Sequence, residues 1–190
     1  MKKIIALIGI VSSGAQLHSF YNSWQKSIEL RGAAFIPTGD LFRDIYGSAA
    51  GNVQVELAAR QNEGCWGAWM NGDFISKEGH SLGLCKSTTA KIFDFSLGVR
   101  RYWDIRCFTA ALGFGANAGH IKLNNCTTCS PTCVSKWGGG FVIKSNLYYD
   151  ITDCWFLDLF ADYTYQKICF TNNEAHIGGV KLGAGVGVNF

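Results

Sequence analysis

From position 180 to 190 the chain alternates without a break. Val180, Leu182, Ala184, Val186, Val188 and Phe190 share one parity, while Lys181, Gly183, Gly185, Gly187 and Asn189 share the other. Period 2 sends the two sets to opposite faces of a β-strand. Seven earlier segments repeat the rhythm. Residues 24–36 set Ile28, Leu30, Gly32, Ala34 and Ile36 on one face, and 52–61 set Val53, Val55, Leu57 and Ala59 against Gln54, Glu56, Ala58 and Arg60. Residues 65–76 carry Trp66, Ala68, Met70 and Phe74 on one parity; around 93–100, Phe93, Phe95, Leu97 and Val99 oppose Asp94, Ser96, Gly98 and Arg100. Segments 105–117, 137–149 and 154–166 behave alike.

The connections alternate in length. Residues 37–51, 77–90, 118–136 and 167–178 form long connections, with a helical turn expected at 39–44; 62–64, 102–104 and 150–153 form short ones. This layout predicts an all-β chain, an eight-stranded antiparallel up-and-down transmembrane β-barrel with long external loops and short periplasmic turns. Strands of about ten residues or more suit a tilted membrane strand. A soluble eight-stranded cup or sandwich shares the period. Aromatics gather near the proposed strand ends: Trp66, Tyr102, Trp103, Tyr149, Trp155 and Phe190 toward the turns, Phe35, Trp137, Tyr163 and Tyr165 toward the loops. Two such clusters are what interfacial girdles produce.

Composition bears on the choice. Charged residues make 16% of the chain, aromatics 14%, and glycine 23 of 190 positions. An average soluble domain carries about 25% charged residues, so this balance suits an outer surface in lipid. The N-terminus reads as a secretory signal peptide over 1–15: Lys2 and Lys3, an apolar core at 4–11, and Ser13-Gly14-Ala15 before the cleavage point, with Ser19 as a later alternative. The barrel domain then covers 20–190. Loss of Lys2 and Lys3 lowers the formal charge from +3 to +1, so no basic excess points to nucleic acid. No other segment approaches the length of a transmembrane helix.

These features, with the terminal Val186-Gly187-Val188-Asn189-Phe190, resemble the small bacterial outer-membrane β-barrel family, of the OmpA-membrane-domain or OmpW type. The resemblance implies residence in the bacterial outer membrane, contact with its lipid, and a terminal strand whose Val186, Val188 and Phe190 serve as an insertion signal for the barrel-assembly machinery. The sequence adds no peptidoglycan-binding segment, so no cell-wall tether is expected. The cysteine load is similar instead to the cysteine-rich outer-membrane proteins of the chlamydial type, which implies disulfide partners among other cysteine-rich envelope proteins.

Inward positions carry Glu29, Glu56, Asp73, Asp94, Asp158 and Asp162 against Arg31, Arg60, Arg100, Lys144 and Lys181. A near-neutral set in a barrel just wide enough for side chains predicts interlocked ion pairs and a structural plug. Inward Gly113, Gly115, Gly183, Gly185 and Gly187 leave room for long partners or for a narrow water path. Eight cysteines in an exported chain predict disulfides. Cys126, Cys129, Cys133, Cys85 and Cys169 fall at the long-loop end; Cys65, Cys107 and Cys154 fall at the turn end. Both sets are odd, leaving one thiol at each end for another protein. Zinc on the loop cysteines with His120 lacks a second close ligand pair. His80, His120 and His176 lie in three long loops, and Glu78-Gly79-His80-Ser81 supplies catalytic residue types without a catalytic spacing.

The expected function is therefore non-enzymatic and without cofactor: an envelope-stabilising or surface-interacting barrel with disulfide-supported loops. A narrow porin-like channel for small solutes is the alternative, and a lipid-modifying barrel enzyme the third.

Overall fold

The structure is a computed structural model that describes residues 24–62, 64–80, 87–125, 132–169 and 174–190. The expected signal peptide and Cys85, Cys126 and Cys129 lie outside the described residues. The elements run β1 (Trp24–Pro37), α1 (Asp40–Tyr46), β2 (Ala50–Gln61), β3 (Trp66–His80), β4 (Ser87–Ile105), β5 (Phe108–Asn125), β6 (Thr132–Asp150), β7 (Trp155–Cys169), β8 (Glu174–His176) and β9 (Gly179–Asn189). Every ladder is antiparallel, each strand pairs with its predecessor from β1 to β7, and β9 lies between β7 and β1 to close the barrel.

β8 and β9 form one stave. Lys167 faces His176 and Thr164 faces Gly179 in a single register along β7. The stave is interrupted only at Ile177 and Gly178. There the Ile177 N–H donates to the Gln166 carbonyl (3.0 Å) and the Thr38 N–H donates to the Gly178 carbonyl (2.9 Å). Eight staves result. At the other end, Phe190 and Lys26 exchange backbone hydrogen bonds of 2.9 and 3.2 Å, so the final aromatic sits on the seam.

Ladder partners fix the stagger. The path Ser27, Ala58, Trp69, Gly98, Gly115, Val142, Thr164, Gly179 returns to β1 at Pro37, ten positions beyond its start. A shear of this size on eight strands corresponds to a tilt of about 40° and a radius of about 8 Å. Such a barrel is filled by its own side chains.

The observed strands correct several sequence boundaries. The expected loops at 77–90 and 118–136 are largely strand, because β3–β6 pair well beyond the lipid-facing band. In that outer portion the faces exchange character: Ile75, Ile92, Ile121 and Ile168 point inward and are buried, while Ser76, Lys91 and Lys122 point outward. The turn expected at 102–104 sits instead at Arg106 and Cys107, between the paired Ile105 and Phe108. Arg106 has φ 53°, the left-handed conformation a two-residue hairpin loop demands. The helical turn is a seven-residue helix ending at Gly47, whose φ of 86° suits glycine and whose N–H donates to the Arg43 carbonyl (2.8 Å).

Candidate functional site

The interior is the site where conduction, binding or catalysis would occur, and it is closed in layers. Nearest the short turns, Tyr102, Ala111, Tyr148 and Phe156 form a buried cluster. Tyr148 meets Phe156 edge-on at 5.5 Å between centroids, and Tyr102 lies 6.3 Å from Tyr148. Tyr102 is expected in the turn-end girdle, but its parity turns it inward, where Arg60 stacks on its ring at 4.8 Å. Arg60 belongs to this rim rather than to the central charges. It donates to both Asp104 oxygens at 3.0 and 2.6 Å, and Asp104 also accepts from Thr109 at 2.9 Å.

The middle layer centres on Glu56. Its carboxylate meets Arg31 at 2.8 Å, Arg100 at 2.6 Å and Lys144 at 2.6 Å. Arg31 also reaches Glu29 (2.8 Å) and Asp158 (2.9 Å), and Lys144 reaches Asp162 (3.2 Å). Arg100 donates to the Tyr148 hydroxyl, which ties this layer to the aromatic one below. A second charged group lies on the outer side: Lys181 meets Asp73 at 2.6 Å and Asp94 at 3.6 Å. With Arg60 at the rim, the buried interior holds six carboxylates and four cations. Neutral amides help to hold the excess: Asn146 donates to Asp158 (2.8 Å), Gln166 to Asp94 (3.3 Å) and Asn52 to Asp73 (3.2 Å).

Trp69 occupies the remaining width. Its indole lies 4.7 Å from the Lys144 ammonium and donates to the Val99 carbonyl at 3.2 Å. A Cβ on Gly98 or Gly115 would come within 2.8 Å of that ring, and one on Gly113 within 3.0 Å. Gly185 lies against Glu29 and Arg31, and Gly187 against Phe156. At these positions the inward glycines make space for large partners, not for a water path. Trp69 has no place among the residues singled out from the sequence, although its parity, opposite to Trp66, Ala68 and Met70, is the signal that turns it inward.

An apolar cork of described residues fills the barrel toward the outer end. Phe42 and Tyr46 of α1, one helical turn apart, pack with Phe35, Ala50, Ile75, Ala90, Ile92, Ile121, Ile168 and Ile177. Phe35 was expected in the outer girdle; it is 2% exposed and meets Phe42 edge-on at 6.2 Å. Burial pushes the Tyr46 phenol above its ordinary pKa, opposed by its hydrogen bond with Thr88 at 3.2 Å.

The outside is the reverse. Leu30, Phe114 and Leu159 are 57%, 59% and 61% exposed, among many outward apolar side chains. Trp24, Trp66, Trp103, Tyr149, Trp155 and Phe190 ring the turn end; Phe74, Phe93, Trp137 and Tyr165 ring the other. At the observed tilt these girdles lie about 25 Å apart, the height of a membrane-spanning band. Val186 and Phe190 face outward at the turn end of β9, and Val188 shares their face. This is a membrane barrel with a lipid face and a filled interior.

The cysteines divide by position. Cys65, Cys107 and Cys154 are free and exposed, one on each of the β2–β3, β4–β5 and β6–β7 turns. Cys133 and Cys169 lie on β6 and β7. We expect a membrane-impermeant maleimide applied to the folded, unreduced protein from the turn side to label all three turn positions. Protection before reduction and labelling after it would show that they are bonded. His120 and His176 do not converge: they sit three staves apart, each beside an outward aromatic ring, Trp137 at 4.8 Å and Tyr165 at 5.3 Å. Among the described residues no three His, Cys, Asp or Glu side chains gather as a metal site.

No protein-family model matches the chain, and no curated protein does. Solved structures do. The outer membrane protein OprG from Pseudomonas aeruginosa is 14% identical over 88% of this chain and 96% of its own, with a TM-score of 0.59. Ail, the attachment invasion locus protein of Yersinia pestis, is 14% identical over 88% and 99%, with a TM-score of 0.58. Neisserial surface protein A is 17% identical over 89% and 98%, with a TM-score of 0.52. The chain shares the closed eight-stranded fold of these small outer-membrane barrels over nearly their whole length.

Proposed function

We propose that this protein is a non-conducting integral barrel of the bacterial outer membrane that stabilises the envelope and presents its outer strands and loops to other molecules. The observation that supports this reading is the filled interior: among the described residues, aromatic layer, charge network and apolar cork follow one another along the axis. A space of about 80 Å³ inside the turn-end rim is lined by Arg60, Tyr102, Tyr148 and Phe156, the residues of the rim and the aromatic layer. In this reading residues 1–15 direct export, and the Val186, Val188 and Phe190 face engages the assembly machinery. Disulfides among Cys85, Cys126, Cys129, Cys133 and Cys169 brace the outer loops, and the turn thiols are available to cysteine-rich envelope partners. Planar-bilayer recording tests the central claim. We expect no steady conductance above background; a stable ohmic current would favour the narrow channel instead.

A further inference from the structure

The outward face changes from apolar to basic just beyond the outer girdle. Lys91 on β4 and Lys122 on β5 are direct cross-strand partners, both exposed. Their outer-row neighbours are Ser76, opposite Lys91, and Ser135, opposite Lys122. Four adjacent strands thus present a row of hydroxyl, ammonium, ammonium and hydroxyl. Like charges directly opposite on one sheet face repel each other, and among the described residues neither lysine has an ion-pair partner. The outward carboxylate of this region, Glu78 on β3, pairs across the ladder with Thr89 rather than with either lysine.

The surface beneath the row is shaped for hydrocarbon. Phe93, Phe95 and Leu97 descend β4 below Lys91; on β5 His120 lies directly below Lys122, opposite Phe93, and Ala118, Ala116 and Phe114 continue beneath it. The rise per residue and the strand tilt place the two ammonium-bearing positions about 5 to 8 Å beyond Phe93, at the depth of lipid headgroups. On the same side Ser135 bonds to His120 at 2.6 Å, and His120 stacks beside Trp137.

We propose that Lys91 and Lys122, flanked by Ser76 and Ser135, form a binding site for a phosphate group of an acylated, phosphorylated glycolipid in the outer leaflet. The acyl chains lie along the Phe95, Ala116 and Ala118 surface. An anion between the two ammoniums removes their repulsion, and the hydroxyls on either side complete its coordination. The inference rests on the membrane-barrel reading above.

The test compares wild type with the K91Q/K122Q double variant, refolded into phosphatidylcholine vesicles with or without lipid A, a bisphosphorylated acylated glucosamine disaccharide. Lipid A should raise the wild-type unfolding temperature by about 3 to 5 °C. That gain should vanish in the double variant and persist in K26Q, which alters an outward lysine at the turn end. Without lipid A the double variant should be at least as stable as wild type. Dephosphorylated lipid A, or inorganic phosphate added to plain vesicles, should give no gain. An equal gain in the double variant, or with dephosphorylated lipid A, overturns the site; a gain from inorganic phosphate alone overturns the lipid assignment. Failure of the wild type to insert into either vesicle would instead overturn the barrel reading.

Discussion

Replacing Glu56 by glutamine should lower the stability of the folded barrel by about 3–5 kcal/mol, the cost of breaking a buried ion pair by removing one partner. Glu56 is the shared acceptor of Arg31, Arg100 and Lys144, and all four side chains are at most 1% exposed. Glutamine keeps the shape but presents an N–H₂ where Lys144 now donates, and it leaves three cations around a neutral group. Urea unfolding in vesicles would read the loss, and the temperature at which gel mobility changes would follow it. The exposed Arg43–Asp40 pair provides the contrast: its side chains are 51% and 82% exposed, and Asp40→Asn should cost less than about 0.5 kcal/mol. Adding Arg100→Met to Glu56→Gln should recover part of the loss, because one uncompensated cation is gone. A wild-type midpoint for Glu56→Gln would show that water reaches the layer and screens it.

The parts of this fold legible in the sequence are those where one face meets lipid. From Phe93 to Val99 outward apolar residues alternate with inward Asp94, Ser96 and Gly98, and from Trp155 to Tyr165 with inward Asp158, Asp162 and Thr164 beside the buried Phe156 and Phe160; there the strands are plain. Beyond the girdle the period continues but its phase inverts: Ile92, Ile121 and Ile168 are buried inside while Lys91 and Lys122 face out. Along either single parity the apolar pattern ends at the girdle, although the β3–β6 ladders continue beyond it. The same inversion hid the cork, since Phe35 and Ile92 are apolar residues on the parity that carries Glu29, Arg31, Asp94 and Ser96 farther along their strands. Which charges point inward was legible from parity; which of them pair was not, because pairing crosses the lumen. Glu56 on β2 meets Lys144 on β6 at a separation of 88 residues. No local pattern encodes that contact; the shear of the closed barrel does.

Lys181→Met should be comparably damaging, and it tests the closure as well as the charge. Lys181 stands on β9, the stave that seals the barrel against β1, and its ammonium crosses the lumen to Asp73 on β3 and Asp94 on β4. Those two aspartates face each other directly in the β3–β4 ladder. Methionine preserves most of the stem but leaves two buried carboxylates opposite each other, held only by the Asn52, Asn71 and Gln166 amides. The expected loss is again about 3–5 kcal/mol in vesicle unfolding. Asp73→Asn in the same chain restores the formal charge of this group to its original value of one negative, so the double variant should regain at least half of the loss. If the double variant is as unstable as Lys181→Met alone, the contribution of Lys181 is the packing of its stem against the opposite wall. If Lys181→Met matches wild type, Asp73 and Asp94 share their charge through the amides alone, and the staple across the lumen carries no stability.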